Sequence, residues 1–284
     1  MVRTMANVKI VTDSTSDLPK DVAEKLGITI VPLYVHFDQE VFQDGVDISG
    51  EQFYHRLVEG SILPKTSAPS PETFKQLYKN LAQEADGIVS LHIASELSAT
   101  HESALVGHKD SVCPVSVIDS RTTSMGLGLL AILAARAAQK GATLAEIVEL
   151  ISDTIPRIRV FFTVDTLEYL RKGGRIGKAQ WLLGSLLKIK PVLEISDGHV
   201  EGIAKARSHV KALDKIRIIT ESLGDIEEMS VVYNTTSEEA KSLGQNTSHL
   251  IPGKNTFYTT FGPVIGTYSG PGAIGIVSLL KKTS

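Results

Sequence analysis

Two segments rich in hydroxyl side chains are the most informative chemical feature of this 284-residue chain. They are Thr66–Ser70 (TSAPS) and Leu97–Thr100 (LSAT). A hydroxyl group both donates and accepts hydrogen bonds, so it can hold a carboxylate or a neutral acid. Neither segment contains a charged base or a set of metal ligands. The pattern therefore favours a site that holds a small acidic head group, with Thr66 and Ser98 as the candidate contacts, over a site that transforms it.

The position of Ser98 supports an anion site, although a purely structural role stays open. Ser98 precedes a predicted helix start, where free backbone N–H groups and the helix dipole favour negative charge. The alternative is that Ser98 only caps this helix and that Thr66 is only a turn residue.

An enzyme that uses Ser98 on an ester, or that binds a nucleotide, is the alternative function. His101 lies three residues after Ser98, a spacing that rarely gives the geometry of a nucleophile and its base. Gly126–Ala131 and Gly270–Gly275 match the spacing of the dinucleotide fingerprint, but the second fits a tight turn into the last strand better. Arg171–Lys178 lacks the spacing of a phosphate-binding loop, which predicts an exposed basic turn that docks a partner or stays solvated.

Composition indicates a globular protein that does not bind nucleic acid. Hydrophobic residues make up 42% and charged residues 21%, and the net charge of −3 lacks the basic excess of a nucleic-acid binder. The single cysteine, Cys113, permits no intramolecular disulfide, which suits a reducing compartment. The N-terminus is too short and polar for a signal peptide, and there is no apolar stretch of about 18 residues. We expect a cytoplasmic protein without stable membrane insertion, metal or cofactor.

The first part of the chain predicts a parallel-sheet α/β domain over residues 1–157. Predicted strands alternate with predicted helices, which is typical of βαβ units. The predicted strands are Val8–Thr12, Ile28–Phe37, Gly87–Ile93 and Val115–Ile118. Polar residues follow three of these strands, and binding sites in such sheets lie beyond the carboxyl ends of the strands.

Residues 158–284 predict an α+β domain with a mixed or antiparallel sheet and helices on one face. Asp197-Gly198 between two predicted strands indicates a hairpin. Helices are predicted at residues 165–172, 177–187, 208–223 and 237–250. The fold class is therefore α/β, with a parallel domain followed by an α+β domain.

Five motifs, taken together and in order, resemble the DegV family of bacterial fatty-acid-binding proteins. The similarity runs from about residue 8 to residue 280. The motifs are Val11–Leu18 (VTDSTSDL), Thr66–Ser70 (TSAPS), Leu97–Thr100 (LSAT), Leu167–Gly177 (LEYLRKGGRIG), and Gly262–Gly266 (GPVIG) with Gly270–Gly272 (GPG).

The resemblance implies two α/β domains with a long-chain fatty acid, such as palmitate, buried between them. It implies that Thr66 and Ser98 hold the carboxyl group, and that the protein presents this group to a separate fatty-acid kinase subunit. It places Arg171, and with it Arg207, on the surface that docks the kinase. The family commonly has a histidine where this chain has Tyr268, whose hydroxyl can donate a hydrogen bond but is neutral near pH 7. We therefore expect Tyr268 to contact the carboxyl group without charge pairing.

Overall fold

A computed structural model describes residues 6–183 and 189–282 as two α/β units that share one hydrophobic core. The strands are, in chain order, β1 (Val8–Asp13), β2 (Ile28–Val31), β3 (Tyr34–Phe37), β4 (Glu40–Gln43), β5 (Lys65–Ser67), β6 (Gly87–His92), β7 (Val115–Asp119), β8 (Ile158–Thr163), β9 (Lys190–Ser196), β10 (His199–Ala206), β11 (Ile226–Tyr233), β12 (Phe257–Thr260) and β13 (Ile274–Leu280). The α-helices are α1 (Lys20–Leu26), α2 (Gly50–Glu59), α3 (Pro71–Leu81), α4 (Thr100–Gly107), α5 (Met125–Gln139), α6 (Leu144–Thr154), α7 (Glu168–Lys172), α8 (His209–Glu221), α9 (Ser237–Thr247) and α10 (Pro263–Ser269).

The first unit contains the predicted parallel sheet, with strand order β2–β1–β6–β7. The chain moves outward in one direction from β1 to β2 and in the other from β6 to β7. The loops that follow β1 and β6 therefore diverge, which opens a crevice at the carboxyl ends of these strands. Ser98 lies in the loop after β6.

A small antiparallel sheet in the order β4–β3–β5 was not predicted. The predicted strand Ile28–Phe37 is in fact two strands, β2 and β3, which are separated at Pro32. A proline has no N–H for a ladder and disfavours the interior of a strand. Thr66, predicted in a loop, lies on β5 opposite Val35.

The second unit is a mixed sheet in the order β10–β9–β8–β13–β11–β12, as the sequence predicts. All neighbouring pairs are antiparallel except β11 and β12. The predicted hairpin joins β9 to β10 through Asp197 and Gly198, whose φ angles of 52° and 80° suit a tight turn. The helix predicted at residues 165–172 is shorter in the structure, where α7 spans Glu168–Lys172. The predicted helix 177–187 is a 3₁₀ helix over Gly177–Leu182, and residues 184–188 lie outside the described residues.

Helix α5 packs between the two large sheets and is buried along most of its length. It contacts β1 and β6 on one side and β8 and β13 on the other. A Cβ atom on Gly128 would lie 2.8 Å from the carbonyl oxygen of Ser16, so only glycine permits this approach. The glycines of Gly126–Ala131 therefore serve helix packing. The two sheets lie on either side of residue 157, and the exact domain boundary stays a prediction.

Two aspartates are buried where the last strands of the second unit meet the loops of the first. Asp17 is 7% and Asp44 is 5% exposed. Asp17 accepts hydrogen bonds from the Gly262 N–H at 2.8 Å and from the Ser124 hydroxyl at 2.5 Å. Burial raises the pKa of the Asp17 carboxyl to about 8 and that of the Asp44 carboxyl to about 7. Repulsion from neighbouring carboxylates adds to both shifts in pKa.

These pKa shifts predict how stability depends on pH. In the unfolded chain both groups ionise near pH 4, whereas the folded protein keeps both protons up to about pH 7 to 8. The unfolded state therefore binds fewer protons in this window, and the free energy of unfolding falls as pH rises through it. We expect an Asp17→Asn/Asp44→Asn variant to gain stability relative to wild type as pH rises from 4 to 8, measured by urea unfolding.

The control for this prediction is Asp47→Asn, which changes an exposed carboxylate in the loop that contains Asp44. Its stability should follow the wild-type curve. A stability difference between wild type and the double variant that stays constant from pH 4 to 8 would contradict the buried-carboxyl explanation.

Candidate binding site

A narrow cavity of about 70 Å³ lies between the two units. Its walls are largely apolar. The apolar lining residues are Leu33, Ile93, Leu97, Phe162, Leu170, Ile195, Val200, Val264 and Ile265. The same cavity is lined by Thr66, Ser98, Arg175 and Tyr268. The structure thus brings together the three predicted head-group residues and adds an arginine.

Thr66 and Tyr268 form a direct contact between the units. The Thr66 Oγ1 and Tyr268 Oη atoms are hydrogen-bonded at 2.5 Å. Strand β5 carries Thr66 and helix α10 carries Tyr268. The Tyr268 ring lies against the backbone of Gly173, where a Cβ atom would be 2.4 Å from ring atom Cδ1. The glycine of the LRKGGRIG motif is therefore needed for this approach.

Ser98 is held by a loop that is anchored to the ends of the parallel strands. The Ile93 N–H donates to the Asp13 carboxylate at 3.0 Å, and the Ser95 hydroxyl donates to Asp119 at 2.6 Å. The Ser98 Oγ atom accepts from the Thr100 N–H at 3.3 Å and is hydrogen-bonded to the Thr100 hydroxyl at 2.9 Å. Ser98 therefore stabilises the entry into α4 and also faces the cavity.

Arg175 is the residue that sequence reasoning missed. The sequence predicts an exposed basic turn over Arg171–Lys178, but Arg175 is half-buried and lines the cavity. Its Nε donates to the Leu97 carbonyl at 3.1 Å, and its Nη1 donates to the Gly173 carbonyl at 2.8 Å. Its guanidinium lies 5.1 Å from the centre of the Tyr268 ring. Arg175 therefore brings positive charge to the end of the cavity that holds the Tyr268 hydroxyl.

The two predicted docking residues lie elsewhere. Arg171 and Arg207 are both exposed, and neither lines the cavity. Because α7 ends at Lys172 and the chain turns through two glycines, Arg171 stays on the surface while Arg175 turns inward. The role of Arg171 and Arg207 in partner docking stays a prediction.

The chain is similar to known proteins over nearly its whole length. The family model of the DegV family, described as uncharacterised proteins, matches residues 7–281. The chain belongs to the DegV family. A DegV domain-containing protein of Streptomyces coelicolor is 38% identical over 275 residues, which cover 95% of this chain and 98% of the relative.

Two solved DegV-family structures have the same fold. One is described as a fatty-acid-binding DegV family protein from Thermus thermophilus, with a TM-score of 0.91, 33% identity, and coverage of 97% of this chain and 100% of that one. The other is DegV of Bacillus subtilis, described as a fatty-acid-binding protein, with a TM-score of 0.89, 31% identity and the same coverage. The predicted family and fold class are confirmed.

This DegV-family chain also contains a Ser–His–Asp arrangement, but it is sealed from solvent. The Ser90 Oγ and His92 Nε2 atoms are 2.8 Å apart, and the His92 Nδ1 and Asp13 Oδ2 atoms are 3.0 Å apart. All three side chains are fully buried beneath Tyr78 and Phe74. No ester can reach Ser90, so these residues join β1 to β6 and support the loop that carries Ser98.

Two further features bear on the chemistry of this DegV-family chain. Within residues 6–183 and 189–282, no cluster of three or more His, Cys, Asp or Glu side chains is arranged to hold a metal ion. Across the same ranges, no helix is both long and apolar enough to cross a membrane.

Helix α10, which carries Tyr268, was also not predicted. No helix or strand is predicted over Pro263–Ser269, a segment of seven residues. A signal was present, since Pro263 occupies the first helical position and Gly270 follows the last residue. A seven-residue helix shows little periodicity, so these end signals alone could have revealed it.

The Thr66–Tyr268 contact predicts a measurable coupling. We expect Thr66→Val and Tyr268→Phe to be non-additive in the free energy of unfolding, with a coupling of about 1 kcal/mol, because each change removes the same hydrogen bond. Chemical unfolding of lipid-free wild type, both single variants and the double variant measures it. Additive changes would mean that the two hydroxyls do not interact in solution.

Proposed function

We propose that this chain binds a long-chain fatty acid non-covalently in the cavity between its two units. The carboxyl group lies among Thr66, Ser98, Tyr268 and Arg175. The acyl chain lies between the apolar walls, which separate to admit it because the cavity itself has only about 70 Å³. The observation that carries this proposal is a single cavity with apolar walls and a cluster of hydroxyls and one guanidinium. The solved relatives from Thermus thermophilus and Bacillus subtilis, described as fatty-acid-binding, support it.

The apolar walls provide affinity and the polar cluster provides orientation. A sixteen-carbon acid has about fourteen methylenes, and burial at about 0.8 kcal/mol each gives an upper bound near 11 kcal/mol. Hydrogen bonds to a charged group contribute about 1.5–3 kcal/mol each, against a comparable cost of desolvation. Arg175 is already fixed by two backbone carbonyls, so little side-chain entropy is lost when it meets a carboxylate.

We further propose that the protein is a cytoplasmic carrier that presents the fatty acid to a kinase subunit. The hydroxyl of Ser98 is bonded to Thr100, and the residues around the cavity offer contacts to a carboxyl group without a paired nucleophile and base. The exposed Arg171 and Arg207 are the residues we assign to docking of the kinase.

Purified protein should carry lipid, and Ser98 should matter for its binding. Native mass spectrometry should detect about one fatty acid per chain, and Ser98→Ala should weaken palmitate binding by about ten-fold or more, as expected for loss of one bond to a charged group. Ser67→Ala is the matched control, since Ser67 is exposed and bonds to His36 outside the cavity. An empty protein that hydrolyses ester probes would favour the alternative function, an enzyme that uses Ser98.

A test of Arg171 in kinase docking distinguishes a carrier from a protein in which the bound lipid is only structural. We expect Arg171→Ala to keep palmitate bound but to lower kinase-coupled phosphorylation of the bound acid by at least ten-fold. The measurement uses palmitate-loaded protein with a fatty-acid kinase subunit from a bacterium that has one. Unchanged phosphorylation would remove Arg171 from the docking surface.

A further inference from the structure

Helix α10 connects the two units beside the cavity. Val264, Ile265 and Tyr268 on this helix line the cavity. At its C-terminal end, the Asn234 side chain of the second unit donates to the Gly270 carbonyl at 2.7 Å. At its N-terminal end, the helix is held by residues of the first unit. The place of Tyr268 therefore depends on contacts from both units.

The hold at the N-terminal end consists of two buried aspartate side chains. The N-cap residue is Gly262, which has no side chain to cap the helix. The Gly262 N–H donates to Asp17 at 2.8 Å. The Asp44 carboxyl lies beside the same N-terminus, because a Cβ atom on Gly262 would be 3.3 Å from Asp44 Oδ1, and the nearby Val264 N–H lowers the pKa of Asp44 against the larger effect of burial. The first unit thus supplies the helix cap that α10 lacks in its own sequence.

The surroundings of these two aspartates lower the stability of the folded protein. Asp17 faces Ser124, and Asp44 faces Ser14, while Asp13 adds negative charge near both. The Asp44 Oδ2 atom is buried and has no hydrogen-bond partner within the described part of the chain. A buried charge or an unpartnered polar atom lowers stability, and apolar side chains of similar size would avoid that cost. The presence of Asp17 and Asp44 at this position therefore needs a reason other than stability.

The other charged and titratable groups near this pair do not neutralise it. Lys20 and Glu24 lie at the exposed rim of the neighbouring pocket. The Tyr54 hydroxyl donates to the Phe261 carbonyl at 3.2 Å, so it holds the chain just before α10. The direct hold on the N–H groups of α10 comes from Asp17 and Asp44.

We propose that Asp17 and Asp44 are positioning residues that hold helix α10 by its N-terminus and thereby set where Tyr268 meets Thr66 at the polar end of the cavity. Val264 and Tyr268 are one helical turn apart, so a shift of the N-terminus moves the Tyr268 hydroxyl with it. A hydrogen bond of 2.5 Å tolerates little displacement. The consequence for lipid affinity rests on the fatty-acid function proposed above, whereas the consequence for the Thr66–Tyr268 contact does not.

The first experiment needs no lipid. The coupling between Thr66→Val and Tyr268→Phe is measured by unfolding in wild type, in Asp44→Ala and in Asp44→Asn. Asp44→Ala removes the carboxyl that lies beside the first N–H groups of α10, so most of the coupling should be lost. Asp44→Asn keeps an acceptor oxygen on an uncharged side chain of the same size, so the coupling should be retained. Asp47→Ala is the matched control, because this exposed carboxylate accepts the Gln43 N–H at 2.9 Å in the same loop.

A second variant covers the case in which Asp44→Ala does not fold. A Cβ atom on Gly262 would lie 3.2 Å from Asp17 Oδ1 and 3.3 Å from Asp44 Oδ1, and the φ angle of −67° admits alanine. Gly262→Ala should therefore displace the carboxylates slightly, keep the fold and weaken the Thr66–Tyr268 coupling.

The second experiment measures palmitate affinity and the ¹³C chemical shift of the carboxyl of [1-¹³C]palmitate. Asp44→Ala should weaken palmitate binding, and the loss should not exceed the loss caused by Tyr268→Phe. It should also change the ¹³C chemical shift of the palmitate carboxyl. In the Tyr268→Phe background, Asp44→Ala should have less than a two-fold further effect. The proposal would be overturned if the double variant lost palmitate affinity by the product of the two single losses. It would also be overturned if Asp44→Asn lost as much affinity as Asp44→Ala.

The two proposals fail in different ways. If wild type binds no palmitate but the coupling depends on Asp44, the fatty-acid function is wrong and the positioning role stands. If wild type binds palmitate and Ser98→Ala weakens it, but Asp44→Ala changes neither affinity nor coupling, only the positioning role is wrong.

Discussion

The hydrogen bond between Thr66 and Tyr268 joins residues 202 positions apart and forms where the two units meet. The polar ends of an otherwise apolar cavity must be satisfied, because an unpaired buried hydroxyl costs free energy. Here each hydroxyl satisfies the other, and Arg175 lies across the Tyr268 ring while its N–H groups bond to backbone carbonyls. The polar cluster is therefore held in place by its own hydrogen bonds.

This arrangement requires the two units to keep a fixed spacing, and helix α5 provides it. The helix is apolar on all sides because both of its faces pack against a sheet. Its glycines let the chain approach Ser16 and Ile158 closely. A shared, close-packed core of this kind holds the two sheets at a fixed distance from each other.

Two groups of polar side chains are buried near the cavity, and they differ in how well their hydrogen bonds are satisfied. The Ser90–His92–Asp13 network is fully buried but satisfied, so it stabilises the strand ends and the Ser98 loop. Asp17 and Asp44 are buried with raised pKa values, and one Asp44 oxygen has no hydrogen-bond partner among the described residues. The first network resembles a hydrolytic triad in geometry, but its three side chains are fully buried.

The sequence alone determined the family, the parallel and mixed sheets, the hairpin at Asp197-Gly198 and the two hydroxyl-bearing segments. These follow from local periodicity, turn chemistry and short motifs, all of which neighbouring residues encode. The tertiary structure alone decided which arginine turns inward, that Thr66 lies on a strand, and that Pro263–Ser269 forms a helix. Arg171 and Arg175 have the same side chain on either side of two glycines, so no local rule separates them. Arg171 is exposed and Arg175 is half-buried, because Arg175 contacts Leu97 and Tyr268. These two residues come close only when distant parts of the chain pack together.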